Sequence, residues 1–212
     1  MNRSTGMGRL AQRWQRAAGG GLIVVGSILL LTAATSAARG AIARDAARTR
    51  WAELEAERAV DGGRRAVTRE ARTAVARGTP VARLVIPRAG LDEIVVEGVS
   101  NSDLRAGPGH MIGSAIPGAP GNAVVSAHRD RHFRSLGRLA AGDTIHTESD
   151  VGRVSWIVSR VRVVDADARV LWSTPSPTLT LTTCWPIRFF GPAPDRLIVE
   201  ATPISVAFGA VD

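Results

Sequence analysis

At 212 residues with 45% hydrophobic content, the chain has room for one ordinary domain with an appendage and enough apolar material for a real core. Its formal charge of +8 comes from 27 basic residues, all arginine, so no lysine ε-amine is present to be acylated. A single cysteine excludes an intramolecular disulfide and any cluster of thiolate metal ligands, and the acidic residues are scattered, so neither a metal nor a cofactor is expected.

The first 18 residues carry Arg3, Arg9, Arg13 and Arg16 and no acid, and from Gly19 to Ala38 no charge appears. The centre of that run, Leu22 to Leu31, is strongly apolar, and about 20 residues of helix span a hydrocarbon core. The pattern predicts a cytoplasmic segment over 1–18 and a transmembrane anchor over 19–38. A cleaved signal peptide, cut near Ala34 to Ala38, and a buried core helix are the competing readings. The uncharged run exceeds a usual apolar signal region of about 7–15 residues, which favours the anchor. Arg39, Arg44, Arg48 and Arg50 follow closely, so the arginines balance across the span and leave its orientation open. Residues 39–79 are rich in Ala, Arg and Glu and read as an exposed helical stem, interrupted near Asp61 to Gly63. It is expected to be a solvated spacer without a partner, with anionic headgroups as the alternative surface for its arginines.

At Pro80 the character changes, and 80–212 reads as an all-β domain. Val81–Ile86 and Leu91–Val96 flank a Pro-Arg-Ala-Gly turn. Further strands are predicted at Ala123–Ala127, Thr144–Thr147, Val154–Val164, Thr178–Thr183 and Leu197–Ala201, with helical turns at Ser100–Leu104 and Phe133–Leu139. Short strands separated by Gly, Pro and Asp point to a sandwich or a closed barrel.

The strand from Thr178 alternates through Leu-Thr-Leu-Thr-Thr and ends on Cys184, since Pro186 cannot donate to a sheet ladder. A thiol delivered where a rigid strand meets a loop suits a nucleophile; a small buried hydrophobe is the bland alternative. His128 is read as closing the strand Ala123–Ala127, and two reactive side chains at strand ends can meet on one rim of a barrel. Arg196 opens the strand that follows Cys184, and antiparallel neighbours bring the end of one strand beside the start of the next. Each of these, taken singly, also fits a structural or solvated residue.

The order Gly107-Pro-Gly-His110, Pro117 to Asn122, Ser126-Ala-His-Arg-Asp130, Thr180-Leu-Thr-Thr-Cys184 and then Arg196 resembles the sortases, the cysteine transpeptidases of bacterial envelopes, from about Val81 to Thr202. The short form, the N-terminal anchor and His128-Arg-Asp-Arg-His-Phe133 are most similar to the class D-like sortases and their Gram-negative relatives. The resemblance implies an eight-stranded sortase-type β-barrel with short helical turns, preceded by a transmembrane helix and helical stem. It implies Cys184 as nucleophile, His128 as general acid and base, and Arg196 as the group that steadies the substrate backbone or the oxyanion. The expected reaction cleaves a C-terminal sorting motif, LPxTG-like and after Thr, through a thioester, and transfers the acyl group to an amine acceptor. No nucleotide is needed because the cleaved amide supplies the free energy of the new one.

His132 is a lesser candidate for the base because it follows the turn rather than closing the strand, His110 is expected to be structural or groove-lining, and Asp130 is a candidate to orient His128. Trp185 is expected either to cover the thioester or to pack in the core. The implied partners are exported proteins bearing a sorting signal, the amine acceptor, and the cytoplasmic membrane, which the chain crosses once with its catalytic domain outside. Two rivals remain: a thiol hydrolase of envelope peptides, disfavoured because Cys follows His by a long interval, and a non-enzymatic membrane-tethered binder of anionic polymer. Arginines scattered without aromatics disfavour the binder and a nucleic-acid partner.

Overall fold

A computed structural model describes residues 5–60, 75–170, 172–189 and 191–207, which fall into two units, Met1–Ala41 and Ile42–Asp212. A helix runs over Thr5–Val60. From Gly20 it carries an apolar window of mean hydropathy 2.0, none of it buried, and it is long enough to cross a membrane. Leu22, Ile23 and Leu29 to Leu31 stand exposed along it, a surface suited to hydrocarbon rather than water.

The described end of the stem is not merely a solvated spacer. Ala47 and Trp51 are buried and pack with Ile94 and Val96. Among the Ala, Arg and Glu of this segment, Trp51 has the area to bury, so one helix face gains a partner although the composition as a whole is polar. The expected break at Asp61 to Gly63 lies outside the described residues.

The remainder of the second unit is a closed barrel of eight strands: β1 Pro80–Ile86, β2 Leu91–Glu97, β3 Gly109–His110, β4 Asn122–Ser126, β5 Thr144–Ser149, β6 Gly152–Asp165, β7 Thr178–Trp185 and β8 Asp195–Ala207. Around the barrel the order is β1-β2-β3-β4-β7-β8-β6-β5. The pairs β2·β3 and β4·β7 are parallel; the others are antiparallel. Seven strands are those expected from alternation. The eighth, β3, is two residues inside Gly107-Pro-Gly-His110 and has no alternation to reveal it. Its glycine is needed for close approach, since a Cβ on Gly109 would stand 2.1 Å from the Gly98 carbonyl oxygen. The expected helical turns occur as a short helix at Asp103–Ala106 and a 3-10 turn at Leu136–Arg138.

Alternation decides which side chains fill the barrel. Leu179 and Leu181 of β7, Ala123 and Val125 of β4 and Leu197, Val199 and Ala201 of β8 enter the core with Leu84, Ile145 and Trp156. Trp156 is wholly buried, and its Nε1 donates to Thr147 Oγ1 at 2.8 Å, which answers the one polar atom of that side chain. The other parity of β4, β7 and β8 therefore faces outward: Asn122, Val124 and Ser126; Thr180, Thr182 and Cys184; Arg196 and Ile198.

Candidate active site

Cys184 is half-buried, the penultimate residue of β7, and stands on the outward face rather than in the core. Two pairings of β7 determine what lies beside it. Against β8 the register is antiparallel and sets Arg196 directly opposite Cys184, where Cα atoms are about 4.5–5.5 Å apart and side chains share a face. Against β4 the register is parallel, with Ser126 opposite Thr182. Two residues further along each chain are His128 and Cys184. The pairing continues past the strand end: the Ala127 N–H donates to the Thr182 carbonyl at 3.2 Å, and Thr183 Oγ1 donates to the Ala127 carbonyl at 2.7 Å. His128 is thus brought level with the thiol, although it lies two residues beyond the last residue of β4 rather than closing the strand.

Burial pushes the His128 imidazole below its ordinary pKa of 6.5; Asp130 opposes this, and Arg131, His132 and Arg105 reinforce it. The exposed Asp130 thus acts on His128 through its field, and among the described residues no hydrogen bond joins the two. The Arg196 Nε donates to the Ala166 carbonyl at 2.7 Å, which aims the guanidinium from the loop after β6. That loop also touches the outer face of β4, where Asn122 Nδ2 donates to the Val170 carbonyl at 3.3 Å, and Thr180 Oγ1 of β7 donates to Asn122 Oδ1 at 2.8 Å. Thr182, on the same face and next in line to Cys184, has a buried hydroxyl with no hydrogen-bond partner.

The other histidines fall elsewhere. His110 is buried on β3, with Nδ1 2.7 Å from Glu97 Oε2 and Nε2 donating to the Ala115 carbonyl at 2.9 Å, so it ties two strands and the following loop together. His132 is buried with Nδ1 3.3 Å from Glu93 Oε1. Burial alone would raise Glu93, but His132, Arg44 and Arg48 outweigh it and hold the carboxyl below its ordinary value. His146 lies on β5, its Nδ1 3.0 Å from Ser155 Oγ. Trp185 is partly buried and packs against the core. Among the described residues no group of three or more His, Cys, Asp or Glu is placed to hold a metal ion.

A half-exposed thiol, an imidazole and a guanidinium assembled on one barrel rim suit nucleophilic acyl transfer. The family model described as the sortase domain matches residues 84–204, more than half of the chain. The chain belongs to the sortase family. Sortases are cysteine transpeptidases, and the eight-stranded closed barrel is the fold that the resemblance implied. Sortase D of Bacillus subtilis is 34% identical over 118 residues, a match covering 55% of this chain and 60% of that protein. The match thus spans less than two thirds of that relative. Among solved structures, the catalytic domain of Bacillus anthracis SrtD is 33% identical with a TM-score of 0.53, the match covering 61% of this chain and 90% of that one. The Clostridium perfringens sortase D5 transpeptidase shares the fold, with a TM-score of 0.60 at 22% identity over 79% of this chain and 99% of that one.

Two features of this sortase's site go beyond the roles that the motifs point to. By its pattern Thr183 is part of a strand, and its tie to Ala127 depends on β4 and β7 being neighbours, which no local pattern encodes. By its pattern Thr182 is one more β-branched strand residue, yet it shares the parity of Cys184, and that shared parity is the signal for its outward face.

Proposed function

We propose that this sortase is a membrane-anchored transpeptidase in which Cys184 is the nucleophile, His128 the general acid and base, and Arg196 the group that steadies developing charge. The observation that supports the roles best is the double register of β7, which sets Arg196 opposite Cys184 and His128 level with it.

The Cys184 thiolate attacks the carbonyl carbon of the threonine in a C-terminal sorting motif, LPxTG-like, of an exported protein. A C–S bond forms and the carbonyl becomes a tetrahedral oxyanion. Collapse breaks the amide C–N bond while imidazolium His128 gives its proton to the leaving amine, and a thioester remains. An amine acceptor then attacks the thioester; neutral His128 takes its proton and the thiolate departs from a new amide. Arg196, oriented through Nε, offers its terminal amino groups to the oxyanion or the substrate backbone, and one such donor is typically worth about 3 kcal/mol.

The apolar helix anchors the enzyme once in the cytoplasmic membrane, with the barrel on the outer side where exported chains emerge. A substrate held in the same bilayer meets the enzyme at raised effective concentration. The test is mass spectrometry of the wild-type enzyme and Cys184→Ala after incubation with sorting-motif peptides. The expected result is an acyl adduct on Cys184, with release of the segment after the motif, and neither in the variant. Cleavage by Cys184→Ala at the wild-type rate would overturn the reading.

A further inference from the structure

Arg129 leaves the chain directly after His128 and reaches across to the segment that follows Cys184. Its Nη1 donates to the Pro186 carbonyl at 3.2 Å and its Nη2 to the Gly191 carbonyl at 2.6 Å. Its guanidinium also lies over the Phe189 ring, 5.6 Å from the centroid. The two carbonyls stand at opposite ends of one loop, so a single planar fork closes that loop like a clasp. No carboxylate shares this guanidinium among the described ion pairs; its hydrogen bonds go to backbone.

The placement matters because each end of the bridge is attached to a reacting group. Arg129 is one residue from His128, and Pro186 is two residues from Cys184. The hydrogen bond from Thr183 to Ala127 joins the two strands just before the reacting residues, and Arg129 joins them again just after. Phe189 is 48% exposed, an apolar surface held under the Arg129 guanidinium on the segment that follows Cys184. We infer that Arg129 is a positioning residue that latches the 186–191 loop to the His128 loop, holding thiol and imidazole in register and setting which nucleophile reaches the thioester.

The inference rests on the transpeptidase reading for its kinetic consequence but not for its structural one. Loss of the guanidinium frees both carbonyls, and an unlatched loop admits water to the acyl-enzyme. Lysine brings one point of charge with rotatable donors and cannot span both carbonyls as the fork does.

The experiment compares full-length wild type, Arg129→Gln and Arg129→Lys in detergent. Hydrogen exchange across 186–191 is read first, then kcat and KM with a sorting-motif peptide, then the ratio of aminolysis to hydrolysis with a diglycine acceptor. The expected results are faster exchange confined to that loop, a loss of about tenfold in kcat/KM for Arg129→Gln, a fall in the aminolysis ratio, and intermediate values for Arg129→Lys. Unchanged exchange at 186–191 overturns the latch. Faster exchange with kcat/KM and product ratio within twofold of wild type overturns the positioning role. A wild-type enzyme that forms no adduct with peptide refutes the transpeptidase reading instead, and exchange still decides the latch.

Discussion

The hydrogen bond from Thr183 to the Ala127 carbonyl is the interaction through which packing and chemistry can be separated most directly. Thr183→Val keeps the shape of the side chain and removes the donor. The bond is short, 2.7 Å, and buried, and Thr183 is 2% exposed. A neutral hydrogen bond contributes about 1 kcal/mol net, but the substitution strands a buried carbonyl, so the cost rises to about 2 kcal/mol. For a chain of this size that is a fall in Tm of about 4–8 °C. The kinetic effect follows from geometry: the bond ties the residue before His128 to the residue before Cys184, and small misplacements of reacting groups cost up to about a hundredfold. Thr183→Val is expected to lose at least about tenfold in kcat/KM at a temperature where it remains folded, and Thr183→Ser to recover most of it. Thermal melting in detergent and cleavage of a fluorogenic sorting-motif peptide measure the two quantities. A Thr183→Val enzyme that melts with wild type and cleaves within twofold of it would refute the claim that this bond sets the site.

Arg196→Lys keeps the charge and loses the fork, and is expected to cost about a hundredfold to a thousandfold in kcat/KM while Tm is held; a loss under threefold would remove Arg196 from charge stabilisation. With His128 as the proposed general base, the acid limb of kcat/KM should follow its proton, so Asp130→Asn, which removes a field that raises that group, should move the limb to lower pH, and Arg131→Gln should move it to higher pH. Limbs that stay put, or move together, would mean that another group titrates. Because His128 is held below its unfolded value, the folded state should lose stability as pH falls below about 6.5, and urea midpoints at several pH values would show it. Trp51→Ala removes a side chain 3% exposed and a cation–π partner of Arg58, but also a buried indole N–H without a partner, so a net loss of about 2 kcal/mol is expected. Trp51→Phe should leave Tm unchanged or raise it, and a large drop would show that the indole N–H is satisfied in solution.

How much of the fold was legible depends on the range over which each signal acts. Alternation is local, and it located seven strands, among them the one that ends at Cys184, from residues such as Leu179, Thr180 and Leu181, while a buried thiol stayed open as the alternative. The antiparallel return from Cys184 to Arg196 was legible too, because adjacent strands in sequence commonly pair. The parallel contact of β4 with β7 was not, since 51 residues separate Ser126 from Thr178 and no local pattern encodes such a neighbour. The motifs made up that deficit through resemblance rather than through physics. The burial of Trp51 was hidden for another reason: one aromatic in a polar helix makes too weak a period to point anywhere, and its partners Ile94 and Val96 lie on a distant strand.

The charges around the site pull in two directions. Burial lowers His128 most, and Arg131, His132 and Arg105 add to it, which favours the neutral imidazole that the proposed mechanism needs to take a proton from an acceptor amine. The same lowering weakens imidazolium, the form that in the proposed mechanism protonates the leaving amine in the first half of the reaction. Asp130 offsets that penalty, because its carboxylate stabilises the charged ring without touching it. The Arg129-Asp130-Arg131 triplet therefore has a division of labour that its net charge conceals. Arg129 spends its donors on backbone, Arg131 and Asp130 act on His128 with opposite sign, and in the proposed mechanism the balance of the last two is expected to set which half of the transfer limits the rate. It follows that Asp130→Asn should slow acylation more than deacylation and Arg131→Gln the reverse, a contrast that single-turnover measurement of thioester formation and decay resolves. Equal slowing of both halves in either variant would show that the triplet acts through loop structure and not through its field on the ring.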